Sequence, residues 1–420
     1  MLRRFLGEYS IDKNGFLVII ILFLSVFGWF YMAMPMINSI LSGLDITPTE
    51  NFTIWATFCV SIIGTSILGA FLPNKGGRLN LFYMGTVLGV VTSFLPALFT
   101  TVTLLHVWSI SLLLGASFGL GVPSCLAYFA EYTIMENRGR IGSITFLIVS
   151  ISAPFLGFLF SKFDLAIMSV IFALWRGMGL IVFFLKPEKQ SSSQITKSVS
   201  FVSILRDRTF LLYFVAWSMF SLVDSFERVL VDNFLRGWGP NLLNTMGVIE
   251  PLVAGLSILI AGLVCDWIGR KKVVLSGFVA LGVAYAIIGL AHDFELSWYL
   301  YFVVDGVAWG IFLLVFVSIL WGDLAQSKSS EKYYAFGSVP FFLSSIIPSL
   351  LPQSFIEQVC SGERMSTAFS LASFFLFVAV MPLVLAPETL PEKKMELRRL
   401  RKFTEDAKKA KEKYERKMKG

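Results

Sequence analysis

The chain has 420 residues, of which 56% are hydrophobic and 15% charged, with a mean hydropathy of +0.74. A water-soluble protein this poor in charge cannot cover its own surface, which excludes a soluble enzyme, a nucleic-acid-binding domain and a disordered chain. The formal charge of +7 then reads as the basic bias of a membrane protein, whose Lys and Arg gather in cytoplasmic loops.

A helix needs roughly 20 mostly apolar residues to cross a bilayer. In chain order, spans are predicted at 15–41, 52–72, 79–100, 104–130, 140–161, 164–185, 209–236, 246–265, 272–291, 296–322, 333–352 and 366–386. The first run is too long for a cleaved signal sequence and is read as a retained helix. One alternate set of loops carries 17 Lys and Arg, and the other only Lys162, Arg236 and Arg364. That asymmetry places both termini in the cytoplasm and agrees with an even number of spans. The fold class is therefore all-α, with twelve transmembrane helices. The division is 1–185 (first six spans), 186–208 (polar linker with Ser191, Ser192 and Ser193), 209–386 (last six spans) and 387–420 (basic helical tail).

The two sets of six repeat one another. Gly69 and Gly76 recur as Gly262 and Gly269, 193 residues later, and Glu131 recurs as Asp323 at 192. Pro154 recurs as Pro348 at 194, and Leu185-Lys186-Pro187-Glu188 as Leu385-Ala386-Pro387-Glu388 at 200. A constant orientation makes this a parallel repeat. Cys59, Cys125 and Cys265 lie in or beside apolar runs and Cys360 stands alone, so neither a disulfide framework nor a metal site is expected.

Within the spans, charged residues are costly and tend to face a cavity or a partner. Span one offers Trp29, Tyr31 and Asn38, and span six Arg176. Span seven concentrates Asp224, Glu227, Arg228 and Asp232; the first, third and fourth form one helical column beside Glu227. Trp217 lies on the same span. Asp305 in span ten is either a proton carrier or the partner of an arginine, and Glu250 and His106 are placed near span ends. An alternative is an ion-paired face on span seven that only neutralises itself.

The turn after span eight reads Gly262-Leu263-Val264-Cys265-Asp266-Trp267-Ile268-Gly269-Arg270-Lys271-Lys272. It resembles the G-x-x-x-D-x-x-G-R-K loop motif of the major facilitator superfamily. Its first-half counterpart keeps Gly69, Gly76 and Arg78 but has Pro73 in the acidic position. Tyr128, Glu131, Arg138, Gly139 and Arg140 are similar to the family's charge relay at the end of span four. Gly115 and Gly119 match its close packing there, whereas Ser111 stands where many members carry an arginine. Ala386-Pro387-Glu388-Thr389-Leu390-Pro391 looks like the last-helix exit of the sugar and organic-cation branches.

The resemblance implies a secondary transporter in the cell membrane that moves a small organic solute by alternating access, with spans one and seven lining a central cavity. Asp266, Gly269, Arg270 and Lys271, with Glu131, Arg138 and Gly139, would form its cytoplasmic gate. In that gate Asp266 would meet the start of span five around Arg140 to Ser143, and Glu131 would pair with Arg138. No nucleotide-binding loop is present, so an ion gradient is the expected energy source, with Asp224, Glu227 and Asp305 as proton-site candidates. The expected unit is a monomer in the bilayer, without cofactor, metal or nucleic acid. The alternative is a transport-inactive sensor or scaffold that signals through its tail.

Overall fold

The computed structural model describes residues 12–72, 79–99, 101–160, 162–185, 200–325, 329–360 and 363–390. The readings placed on the 73–78 turn (Pro73, Gly76, Arg78), on linker residues 186–199 and on the tail beyond 390 lie outside the described residues. Among the described residues every regular element is helical. Twelve helices are long and apolar enough to span a bilayer: α1 (Lys13–Leu41), α2 (Pro48–Phe71), α3 (Leu79–Leu98), α4 (Leu104–Tyr132), α5 (Arg138–Leu159), α6 (Leu165–Leu185), α7 (Arg208–Trp238), α8 (Pro240–Ile268), α9 (Arg270–Ala291), α10 (Glu295–Ala325), α11 (Ser330–Leu350) and α12 (Arg364–Leu385). The chain is a multi-pass membrane protein.

Helix starts follow from local chemistry. Thr47 and Glu50 form a reciprocal capping box around Pro48, which has no N–H to leave unsatisfied. Asp164 and Asp207 accept from the first-turn amides of α6 and α7. His106 caps α4 by accepting from the Thr103 amide, in keeping with its place at a span end. The largest boundary difference is at α8, which starts at Pro240 and not at 246. Asn241, Asn244 and Thr245 depress the local hydropathy, but Pro240 can open the helix behind Gly239.

The first six helices pack mainly among themselves, as do the last six, and the two sets meet chiefly along α5 against α8 and α2 against α11. The close approaches are set by residues without side chains. A Cβ on Gly115 or Gly119 of α4 would come within 2.5 Å of the α2 backbone at Phe58 and Ile62. The arrangement recurs 191 residues later, where Gly306 and Gly310 of α10 lie against the α8 carbonyls of Glu250 and Ala254. In a bilayer such small-residue contacts bring backbones together without help from the hydrophobic effect. Short π-helical stretches interrupt α1 at Leu24–Gly28 and α10 at Leu313–Ile319. By contrast, α1 and α7 have no extensive contact with each other; the main partners of each belong to its own set of six.

Candidate functional site

Two groups of charged side chains stand out. The first lies on the face that carries the basic loops, where α8 turns into α9. Gly269 makes that turn at φ 103, a conformation that only glycine, lacking a Cβ, adopts at little cost. Glu388, just past α12, accepts from the Arg270 and Lys271 amides at 2.9 and 3.1 Å. It thereby caps the positive end of α9. Lys271 Nζ donates to the Val384 carbonyl at 2.7 Å.

One turn before Gly269, Asp266 is fully buried and accepts from the Gly139 and Arg140 amides of α5, both at 2.9 Å. Arg270 pairs with Asp266 at 3.2 Å and with Asp323 at 3.1 Å. Asp323 closes α10, and its other oxygen pairs with Arg138 of α5. Arg138 also donates to Thr133 Oγ1 at 3.1 Å and to the Thr133 and Ala130 carbonyls. The guanidinium that was expected to meet Glu131 thus meets Asp323 in the other half. Arg138 is buried between the two sets of helices, whereas Glu131 is exposed.

Room for this crossing comes from Gly139 and Gly262. A Cβ on either would lie within about 2.6 Å of the other's carbonyl oxygen. Gly139→Ala should therefore cost the closed crossing about 1–3 kcal/mol by overpacking. The expected readout is faster labelling of a cysteine placed at Ser143 (S143C background) by a membrane-impermeant maleimide applied to this face. Unchanged labelling would mean that the helices part elsewhere.

The second group is embedded. Asp224, Glu227 and Asp305 are buried, and together with Arg228 and Glu250 they lie within electrostatic range of one another. Glu227 accepts from Tyr301 Oη at 2.6 Å, and Asp224 from Trp309 Nε1 at 3.0 Å. Arg228 does not pair along its own helix but reaches Glu250 of α8 at 2.9 Å. Glu250 was expected near a span end; because α8 starts earlier, it lies ten residues inside the helix. Asp305 Oδ1 is buried without a hydrogen-bond partner. Asp232 is half-buried one turn beyond Arg228.

The other candidates do not join this cluster. Arg176 is fully buried among α1, α4 and α6, where it donates to the Ser25 carbonyl at 2.7 Å and the Ser117 carbonyl at 3.2 Å. Its guanidinium lies 4.6 Å from the Trp29 ring, which stacks on Phe172 and donates to Ser93. Trp29 is therefore a buried packing residue. Tyr31 and Asn38 lie on the opposite, exposed stripe of α1 with Pro35. Trp217 is buried against Phe220 and Phe316. Between the two sets of helices, Phe30 and Phe118 stack at 4.0 Å and meet Phe342 of α11 edge-on. This aromatic contact, like Tyr301 and Trp309, was not singled out from the sequence, where 41 phenylalanines hide any one of them. The signal that could have found Tyr301 and Trp309 is Asp305, from which each lies four residues away on the same helical face.

No protein-family model matches the chain. It is 25% identical over 176 residues to a D-arabinitol transporter of Klebsiella pneumoniae. That alignment covers 41% of each protein, so the match spans about two fifths of the relative's length. The structure is similar to that of a proton:xylose symporter of the major facilitator superfamily bound to 6-bromo-6-deoxy-D-glucose. The TM-score is 0.65 at 15% identity, covering 90% of this chain and 96% of that one. The shared fold extends over almost the whole body.

Proposed function

We propose that this chain, built on the major facilitator fold, is a secondary transporter that carries a small organic solute by alternating access. The observation that carries the reading is the asymmetry between its two faces. The Arg138–Asp323 pair, the Asp266 bonds to the Gly139 and Arg140 amides and the Arg270 bond to the Met135 carbonyl tie the two sets of six helices together on the basic face. Meanwhile α1 and α7 share no extensive packing. Such a molecule is closed on one side, and breaking one ion pair and a few hydrogen bonds would let the halves rock about the midplane. The loop charges support a basic face in the cytoplasm, with both termini there, and a monomer in the cell membrane as the working unit.

The exposed stripe of Tyr31 and Asn38 on α1, together with Arg228 and Glu250, supports a wall able to hydrogen-bond a polar solute. The aromatic contact of Phe30, Phe118 and Phe342 would floor it. The partial likeness to a D-arabinitol transporter makes polyols and monosaccharides the first class to test. Four carboxylates (Asp224, Glu227, Glu250, Asp305) share the neighbourhood of one guanidinium, Arg228. In an interior of low dielectric that negative surplus requires protons or a cation, which supports proton coupling.

The test is uptake of labelled D-arabinitol and D-xylose into proteoliposomes, with and without an inside-alkaline pH gradient. Saturable uptake that accumulates only under the gradient is the expected result. Uptake equal to that of empty liposomes for the whole polyol and monosaccharide panel would overturn the substrate class. Accumulation-free uptake that ignores the gradient would replace symport by uniport.

A further inference from the structure

A cavity of about 610 Å³ lies between α7 and α12, under the short helix Gln353–Val359. Its size is that of a typical small-ligand site. It is separate from the space between the two sets of helices, because both walls belong to the last six. Leu222 and Phe226 of α7 and Leu371 and Phe375 of α12 line it, and all four are exposed at mid-helix positions, where the outer surface of a membrane bundle meets hydrocarbon. Its entrance is therefore lateral, from the hydrocarbon.

Two charged groups line the same cavity, Glu227 and Arg364. Tyr301 occupies Glu227 Oε1, and among the described residues no donor reaches Oε2. The helices run antiparallel, and Cys360, just before α12, donates to the Leu230 carbonyl at 3.5 Å, so α12 starts about one turn beyond Glu227 and the cavity's Met219 end on α7 lies level with its Phe375 end on α12. At 1.5 Å per residue, Glu227 stands ~12 Å above that apolar base and Arg364 ~16 Å above it. Reading outward, the order is apolar base, carboxylate, guanidinium.

We infer that this crevice binds a single-chain zwitterionic amphiphile whose cation lies next to its tail and whose anion lies beyond. The tail fills the base, the cation meets Glu227 Oε2, and the outer anion meets Arg364. A phospholipid headgroup has the reverse order, phosphate first and amine outermost, and would set like charges against each other at both positions. Arg364 stands at the start of α12, where a long side chain reaches an interfacial anion at little cost. The inference does not depend on transport: binding here is read without any flux.

The experiment titrates full-length protein in nonionic maltoside micelles with three probes of equal ten-carbon chain, each kept below its own micelle concentration. They are N-decyl-N,N-dimethylglycine (cation inside, anion outside), decylphosphocholine (the reverse order) and decyltrimethylammonium (cation only). Melting temperature rises with occupancy of a native-state site. The glycine derivative is expected to half-saturate at a concentration at least tenfold below decylphosphocholine. Arg364→Gln should bring it down to the level of decyltrimethylammonium. Ala372→Trp, which fills the base, should remove the shift; Ala368→Phe serves the same purpose if the tryptophan variant does not fold. Equal half-saturation by the two zwitterions, or a shift that survives the filled base, would overturn the assignment.

Discussion

Asp323→Ala is expected to open the basic face. Asp323 is 1% exposed and is the carboxylate that Arg138 and Arg270 share across the two halves. Removing it leaves two buried guanidiniums facing each other. Loss of one partner from a buried pair typically costs about 3–5 kcal/mol. The Arg138 contact bridges the halves only while this face is closed, so a large part of that cost falls on the closed state. At about 1.4 kcal/mol per factor of ten, the closed population should drop by roughly 10²-fold or more relative to the open one. Spin labels replacing exposed Ile134 and Lys272 should report a longer distance across the face. Asp323→Asn keeps the volume and one acceptor and should shift the distribution less. An unchanged distance in Asp323→Ala would mean that the remaining ties, the Asp266 bonds to the α5 amides and the Arg270 bond to the Met135 carbonyl, hold the face shut.

Asp305→Asn should uncouple the protein while leaving its solute pathway intact. Asp305 is buried, one of its oxygens has no partner, and it shares its surroundings with Asp224, Glu227, Glu250 and Arg228. The amide is nearly isosteric, so packing against α8 should survive, while one negative charge is lost from the surplus. Gradient-driven accumulation should fall at least tenfold, whereas exchange of labelled for unlabelled solute at equal pH should stay within about twofold. Wild-type accumulation in the variant would remove Asp305 from the coupling path. Loss of exchange as well would place it instead in solute binding.

Much of this was legible in the sequence, for reasons that differ by element. The twelve spans are set by hydropathy, and their limits agree to within a few residues except at α8. That one difference mattered: with α8 started six residues late, Glu250 read as interfacial, whereas it is the partner of Arg228. The turn motif placed Asp266 beside the start of α5, where the Gly139 and Arg140 amides are found. The partner of Arg138 was misassigned because a local reading pairs it with Glu131, seven residues away, and cannot see across the halves. Yet the repeat already aligned Glu131 with Asp323. On α1 the residue types were right but their phase was not used. Trp29 and Tyr31 differ by two positions, about 200° around a helix, so one is buried and the other exposed.

The ties on the basic face also order the biogenesis of the chain. Arg138 and Asp323 are 185 residues apart, and Gly139 and Asp266 are 127 apart. Synthesis proceeds from the N-terminus and early elements fold first. The start of α5 therefore enters the membrane long before either of its acceptors in the other half has been made. In the interval the charge of Arg138, held locally only by the Ala130 and Thr133 oxygens, and the two amides must be satisfied by water or lipid headgroups. A nascent chain stalled after α6 would present them unprotected, and only completion of α10 would retire that face from the reach of insertion and quality-control factors.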